Sequence, residues 1–553
     1  MKKILYKALM LFFVLSVAAC SDFLDINEDP NNPSDANLSD ILPSIQINIA
    51  GALSASTGGL GNFSSMYVHH TVQRGTQQND YAFLGNDFGV STPWRLLNTF
   101  ALNDLEQLLQ KAEAVESGPY LGVGKIMKAY VYSIMVDIYG DIPYFGTQKG
   151  AENLFPAFDD DAAIYADLLL LIDEAIMDLE GTSTFVPGAD DLFYGGNLNN
   201  WRRFAKTLKL KMYTQMRLVS DVSKEVSDLL EDDDMMQPGG DFEFQYGTGT
   251  GPENRNPAYA QEYAAGGAFN HISPYFYEIM NGFNTFHDND IYNGIRDPRV
   301  PYYFFNQIGE IDANNVPENP CSYCYGYDNG GTFQVQVPEL QGTGMLAIYM
   351  FSFNIDPNEG FDQSSSQTVM GLYPIGGRYD DGNGAVVNFN GQADTPQRLL
   401  TYYARKYMEA ELAVTGVSEG DARAEFETAM LASFDKVNEI ASAASQPTLP
   451  DTVITEYVNA VLDKFDAADD AGKLEHIMTQ KWIATFGFGI DAYTDYRRTG
   501  FPVLHDPNTD ALNVTSSGRQ YPVAYPYPQT ELDRNPNAPA QRNITTDGVF
   551  WDN

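Results

Sequence analysis

Cysteine is scarce, with three in 553 residues, so the chain is not a disulfide-stapled scaffold. Two of the three form one close pair, Cys321-Ser322-Tyr323-Cys324. A zinc module needs further ligands, and neither a second CxxC nor spaced histidine pairs accompany it. Basic residues are also few, 33 Lys and Arg against 74 Asp and Glu, for a formal net charge of −41. A field of that sign repels nucleic acid and anionic membrane surfaces, so no nucleic-acid partner is expected. Beyond the first 19 residues no apolar run reaches the roughly 20 residues of a membrane-spanning helix.

Catalytic signatures are missing as well. The sequence holds no GxSxG elbow, no HExxH helix and no GxxxxGK[ST] loop, and Gly247, Gly249 and Gly251 lack a strand-to-helix setting and read as loop. His69-His70 is the only adjacent histidine pair, and neighbours on a helix point to different faces, which argues against joint metal binding. Two oxygen-rich runs, Asp288, Asp290 and Asn293, and Asp380, Asp381 and Asn383, depart from the spacing of a calcium loop. Glycosidase carboxylates pair in space rather than in sequence, and 74 acids leave too many candidate pairs to single one out. A non-enzymatic protein with no cofactor and no resident metal is the expectation, with a glycoside hydrolase as the minor alternative.

What is present begins at the N-terminus. Lys2, Lys3 and Lys7, an apolar run over 8–17, and Ala18-Ala19 before Cys20 have the layout of a secretory signal peptide over residues 1–19. The run Val17-Ala18-Ala19-Cys20 resembles the lipobox of bacterial lipoproteins, whose cysteine is acylated and anchors the protein to a membrane. Residues 20–34 then read as a polar tether. In an oxidising compartment Cys321 and Cys324 are expected to form a disulfide across a tight turn; free thiols, or a redox or metal role, remain open from the spacing alone.

No Gly/Ser-rich or Pro-rich linker divides the remainder, so 35–553 is read as one domain. Helical periodicity dominates 35–232 and 396–500. Its clearest case is Val123, Ile126, Met127, Tyr130, Val131, Ile134, Met135 and Ile138, a wide apolar face that stops at Gly140, a residue able to take the conformation that ends a helix. Further helices are predicted near 38–55, 94–116, 161–180, 200–220, 396–415, 421–444, 453–468 and 472–486, with Trp94 and Trp482 assigned to the core. Helices in pairs with short links suggest stacked hairpins. Between 233 and 395 the pattern gives way to Gly, Asn, Asp, Pro and aromatics, and long irregular segments inside a domain usually carry function. The last forty residues read as coil.

Taken together these pieces resemble the SusD/RagB family of nutrient-binding outer-membrane lipoproteins of Bacteroidetes, in its SusD-like branch. The resemblance rests on Cys20-Ser21-Asp22-Phe23-Leu24-Asp25, Asp137-Ile138-Tyr139-Gly140-Asp141-Ile142-Pro143-Tyr144, Trp201-Arg202-Arg203-Phe204, Arg296-Asp297-Pro298-Arg299, Glu409-Ala410-Glu411-Leu412, Gln480-Lys481-Trp482-Ile483, Tyr496-Arg497-Arg498-Thr499-Gly500 and Tyr525-Pro526-Tyr527-Pro528, in that order along the chain. It implies a mainly α fold of tetratricopeptide-like hairpins with long irregular loops and minor β. It also implies a partner, a SusC-like TonB-dependent transporter, and a ligand that is an oligosaccharide or, in a RagB-like alternative, a peptide. Asp22 and Asp25 are similar to the family's surface-export signal, so the protein is expected on the outer membrane, facing outward. Arg497 and Arg498, beside Asp491 and Asp495, are read as partners in internal ion pairs.

Sugar rings present apolar faces that stack on aromatics, while amides and carboxylates bond the hydroxyls. Three loop clusters fit that chemistry: Arg74, Asn79, Asp80 and Tyr81, with Phe83; Phe286 and Tyr292, with His287 and Asp288; and Tyr323, Tyr325 and Tyr327 beside the cysteines. Each of these aromatics is equally open to burial under its loop. The lipid anchor is tested directly: cells fed a radioactive fatty acid should label the wild-type protein and leave Cys20→Ala unlabelled.

Overall fold

The computed structural model describes residues 36–73, 89–149, 152–264, 267, 269–283, 290–306, 368–382, 390–504 and 521–552, together with the backbone of 324–326 and 346–348. Eleven of its helices build the scaffold. The first block holds α1 (Leu38–Leu53), α2 (Leu102–Ala114), α3 (Gly118–Tyr139), α4 (Asp161–Leu179), α5 (Leu198–Met216) and α6 (Ser223–Asp232), and the second holds α7 (Tyr402–Val414), α8 (Ala422–Ala443), α9 (Asp451–Ala467), α10 (Asp470–Ala484) and α11 (Gly489–Thr499). Side chains set several of the starts. Ser117, Asp160, Asn197, Thr401, Asp421 and Asp469 each accept hydrogen bonds from backbone N–H groups of the first turn, a cap worth about 1 kcal/mol apiece.

Successive helices pack as hairpins: α2 on α3, α3 on α4, α4 on α5, α5 on α6, then α7 on α8, α8 on α9 and α9 on α10. The blocks join where α5 meets α7. Helix α3 is buried on nearly every side, as expected of a helix apolar around most of its circumference. Its close approach to α4 depends on Gly122, where a Cβ would sit 2.6 Å from a Leu179 methyl and 2.8 Å from the Ala175 carbonyl oxygen. The helix ends at Gly140, whose φ of +72° and ψ of −124° lie in a region closed to residues with a Cβ.

Strands are short and occur as two-stranded antiparallel ribbons: β1 (Thr71–Gln73) with β3 (Asn270–Ile272), β2 (Phe242–Phe244) with β8 (Gln397–Leu400), β4 (Phe304–Asn306) with β7 (Thr368–Met370), and β5 (Cys324–Gly326) with β6 (Leu346–Ile348). The helix predicted over 396–415 is therefore split: its first residues form β8, and α7 starts only after the Thr401 cap. All four β8 residues are buried, so the segment has no amphipathic period to tell strand from helix. The predicted helix over 94–116 holds a π-helical turn, Leu96–Ala101.

Two of these eleven scaffold helices, α6 and α11, fall outside the predicted set. In α6 only Val226 is buried. In α11 the buried face is built from Asp491, Thr494, Asp495 and Arg498 as much as from Ile490, Ala492 and Tyr493. Hydrophobic patterning finds neither.

That polar face of α11 enters a cluster of buried charge between the blocks. Arg498 donates to both oxygens of Glu411, to Asp495 at 2.8 Å and to the Gln215 amide oxygen at 2.7 Å. Lys481 pairs with Asp495 at 2.7 Å, Lys211 with Asp491 at 2.6 Å, and Arg217 with Glu411 at 2.7 Å. The internal ion pairs expected of Arg498 are thus present, although Asp491 pairs with Lys211 rather than with an arginine. Burial opposes the charge on Arg498, and Glu411 and Asp495 outweigh it, holding the pKa above its ordinary value.

The C-terminal segment contains one short helix, Gln529–Arg534, yet it is far from a loose tail. Tyr525, Tyr527 and Trp551 are buried. The Tyr525 N–H donates to the Ile138 carbonyl at 2.7 Å, Arg542 donates to the Tyr139 carbonyl, and Trp551 Nε1 donates to Asp137 at 3.1 Å. Coil without apolar period is sealing the end of α3. Removing the Arg498 side chain strands Glu411 and Asp495 without their guanidinium in the interior, a change that costs about 3–5 kcal/mol. Arg498→Ala should lower the denaturant midpoint accordingly, and Arg498→Lys should recover only part of the loss because an ammonium cannot serve Glu411 bidentately.

Candidate ligand-binding site

Strand β3 is the hub of the described strands that adjoin the predicted aromatic clusters in sequence. It pairs with β1, with Gln73 opposite Asn270, and lies against β7 and β6. Residue 74 follows β1 directly, so the segment carrying Arg74, Asn79, Asp80 and Tyr81 leaves from this ribbon. The chain after β3 passes through the helix Pro274–Asn281 toward Phe286. Tyr325 lies on β5, the partner of β6, with Ala347 opposite it. Arg74, Asn79, Asp80, Tyr81, Phe286, Tyr323, Tyr327, Cys20 and Cys321 themselves lie outside the described residues, and of Tyr325 and Cys324 only the backbone is described.

Beneath the hub is a floor of buried rings. His70 stacks on Trp482 with centroids 5.0 Å apart, and Phe276 meets the same indole edge-on at 4.7 Å. Tyr303 stacks on Tyr373 at 4.7 Å. Trp482 Nε1 donates to the Val68 carbonyl at 2.8 Å, and its own carbonyl lies 2.9 Å from His70 Nε2, a carbonyl acceptor that requires the proton on that nitrogen. His69 and His70 follow the helix Leu60–Tyr67 rather than lying in it, with His69 at a φ of +58°. Trp94 and Trp482 are both buried, as predicted.

Arg299 ties this floor to the helices. Its guanidinium clasps Asp297 and donates to Ser433 Oγ at 2.6 Å and Gln480 Oε1 at 2.9 Å, over the ring of Phe434 at 4.6 Å. Much of the described part of 233–395 is accordingly interior, including Tyr259, Tyr263, Phe276, Tyr303, Phe304 and Tyr373. Tyr292 is one such case. It is 2% exposed, its ring packs on His476, and its hydroxyl donates to the His476 carbonyl at 3.4 Å. A phenol whose faces are covered and whose hydroxyl is satisfied has nothing to offer a sugar ring, so Tyr292 belongs to the packing beneath the loops.

Other clefts differ in chemistry. One of about 810 Å³ between α6, α7 and α8 is lined by charges and serines with no aromatic ring, and its cations are engaged, Arg405 by Asp233 and Glu409, Lys406 by Glu409 and Glu425. Among the described residues, the one acidic group close enough to share a cation is Asp141, Asp160 and Asp161. Each already accepts a backbone N–H at the start of α4 or from Phe550, as helix-capping carboxylates do. Asp380, in one of the oxygen-rich runs, accepts from Asn306 and from the Gly382 N–H, closing the end of the β4–β7 ribbon.

The SusD-like family described as starch-binding and associating with the outer membrane matches residues 30–528. The chain belongs to this family. No curated protein matches it. Solved SusD-like structures share its fold: a SusD-like protein of Bacteroidetes with a TM-score of 0.68 at 18% identity, covering 94% of this chain and 100% of its own; a SusD homolog from Bacteroides fragilis at 0.65 and 18%, covering 94% and 99%; and a chitin-binding SusD homolog from Flavobacterium johnsoniae at 0.63 and 18%, covering 93% and 99%. In this SusD-like chain the family-like motifs are mostly buried: Asp297, Arg299, Gln480 and Trp482 in or under the ring floor, Glu411 and Lys481 in the charge cluster between the blocks, and Glu409 against Arg405 and Lys406.

The floor carries a pH dependence. Burial pushes His70 down to about 3, against its hydrogen bond to Trp482, and burial with the charge of Lys464 lowers His476 to about 4. Unfolded, both titrate near 6.5, so unfolding takes up protons below that pH, and stability present at neutral pH is lost as pH falls toward 4 and 3. Asp137, pushed up to about 6 by burial against the opposing charge of Lys211, acts in the opposite sense, its cost easing as pH falls below 6. Between pH 7 and pH 5 each histidine should remove about 2 kcal/mol. Denaturant titrations at the two pH values should show a smaller difference for His476→Gln than for wild type.

Proposed function

We propose that this SusD-like protein is a surface lipoprotein, anchored through Cys20, that captures oligosaccharides and passes them to a SusC-like TonB-dependent transporter. The reading is supported by the adjacency of β1, β3 and β6, the last paired with the strand that carries Tyr325, since these strands adjoin the aromatic-bearing segments in sequence, and by a family described as starch-binding. A homolog of the same fold is named as chitin-binding, which supports a sugar ligand. Loops displayed from a rigid scaffold are where binding residues are usually found. Tyr81, Phe286, Tyr323, Tyr325 and Tyr327 supply stacking faces, and Arg74, Asn79 and Asp80 bond the hydroxyls. A disulfide between Cys321 and Cys324 at the start of β5 holds the third cluster in a tight turn. The protein binds without turning its ligand over and acts beside the barrel it feeds.

Two or three stacked rings contribute about 0.5–1.5 kcal/mol each beyond burial and each hydrogen bond a similar amount, from which the cost of immobilisation is subtracted. Affinity should lie between about 1 mM and 1 μM, weak enough to release cargo to a transporter. Calorimetry with an oligosaccharide ligand should show weaker binding for Tyr81→Ala and Tyr325→Ala, no product release, and little change between low salt and about 0.5 M salt. Tyr292→Ala should instead lower the denaturant midpoint. A steep salt dependence would transfer the assignment to a charged peptide ligand.

A further inference from the structure

We propose that the loop between α3 and α4 forms a second glycan-contact site, centred on the half-exposed ring of Phe145 and sharing no residue with the clusters around β3. The proposal rests on the glycan-binding reading above and assigns a different surface to it. Phe145 is 50% exposed and lines a cleft of about 650 Å³, within the range of small-molecule sites.

The ring is held in place. The N–H groups of Tyr144 and Phe145 both donate to one oxygen of Asp159 at 2.8 Å, and the Asp159 N–H returns a bond to the Ile142 carbonyl at 2.9 Å. Behind Phe145 stands Tyr144, edge-on at 4.9 Å, its hydroxyl donating to Asp167 at 2.6 Å. The loop closes through Thr147, whose hydroxyl donates to the Tyr144 carbonyl at 2.8 Å, and through Asn153, whose amide donates to the Gly146 carbonyl at 2.8 Å. Gln148 next to it adopts a φ of +58°, a conformation that costs energy in a non-glycine residue and that recurs at ligand clamps. An apolar ring left in water on so constrained a turn is a stacking platform at low entropic cost.

The cleft chemistry selects the ligand class. Around the ring stand Gln110, Gln148, Lys149 and Glu152, donors and acceptors together, which suits hydroxyl groups that do both. Lys128 and Lys149 offset part of the charge of Glu106, Glu152 and Asp167 on the same walls, so a neutral sugar fits better than an ion. Leu154 and Phe155, exposed on the same loop, do not line the cleft. A polymer long enough to touch both surfaces gains by effective concentration, so the second contact should matter most for long chains.

Native electrophoresis of the protein from residue 21 onward, in gels containing soluble starch, glycol chitin, xylan or pectin, tests this. In the gel that retards wild type, Phe145→Ala should weaken retention about 2- to 12-fold, Gln110→Ala should weaken it less, and Phe145→Trp should restore it. Calorimetry with the short oligosaccharide of the same polymer should give Phe145→Ala an unchanged constant for the tighter class of sites. Equal thermal midpoints exclude a folding defect, since the ring is half in water. Retardation of Phe145→Ala equal to wild type overturns this proposal and leaves the main glycan reading standing; so does unchanged retardation combined with loss of co-purification with the outer-membrane barrel, which would make the loop a protein contact. Failure of every gel to retard wild type overturns both.

Discussion

The helical scaffold depends on one buried guanidinium. Arg498 has lost its water and recovered it as hydrogen bonds to Glu411, Asp495 and Gln215, groups supplied by α7, α11 and α5. A charge in the interior is tolerable only when every partner is in place, so this contact sets the relative position of three helices more sharply than apolar packing does. Asp495 extends it to Lys481 on α10, and Lys211 to Asp491 on α11. Apolar surfaces can slide over one another at modest cost; this lattice of charges cannot.

The same logic repeats at smaller scale beneath the β1–β3 ribbon. Arg299 binds Asp297, Ser433 and Gln480 under a cover of aromatic rings, and so fixes the turn before β4 to α8 and α10. Above it, His70, Trp482 and Phe276 form a ring cluster whose indole N–H and backbone carbonyl both have protein partners. Both bonds fix the orientation of the indole against the segment that leads into β1.

Position along the chain says little about what the C-terminal segment does. Asp137, in the middle of the Asp137-Ile138-Tyr139-Gly140 run, accepts from Tyr165 on α4 and from Trp551 near the end of the chain. Arg497 on α11 donates to the Asp137 carbonyl and lies over the Trp551 ring at 4.7 Å. One carboxylate thus connects the most buried helix to a residue 414 positions further on. The closure of the first helical block therefore needs that distant segment in place.

Periodicity of apolar residues determined the long helices, because a stripe such as Val123 to Ile138 has no other way to bury itself, and Gly140 marked its end because its φ of +72° admits little else. The ordered motifs determined the family. Tertiary structure alone decided the rest. It decided that α11 is a helix, since its buried face is satisfied by Glu411, Lys211 and Lys481 from distant segments; that 397–400 is a strand, since only its pairing with β2 distinguishes it from the start of α7; that the coil around Tyr525 and Trp551 is core; and that Tyr292 is covered while Phe145 is half in water. Local sequence records what a residue prefers. Whether a polar face is neutralised or an aromatic ring is covered depends on side chains tens or hundreds of positions away, and those meet only in the folded molecule.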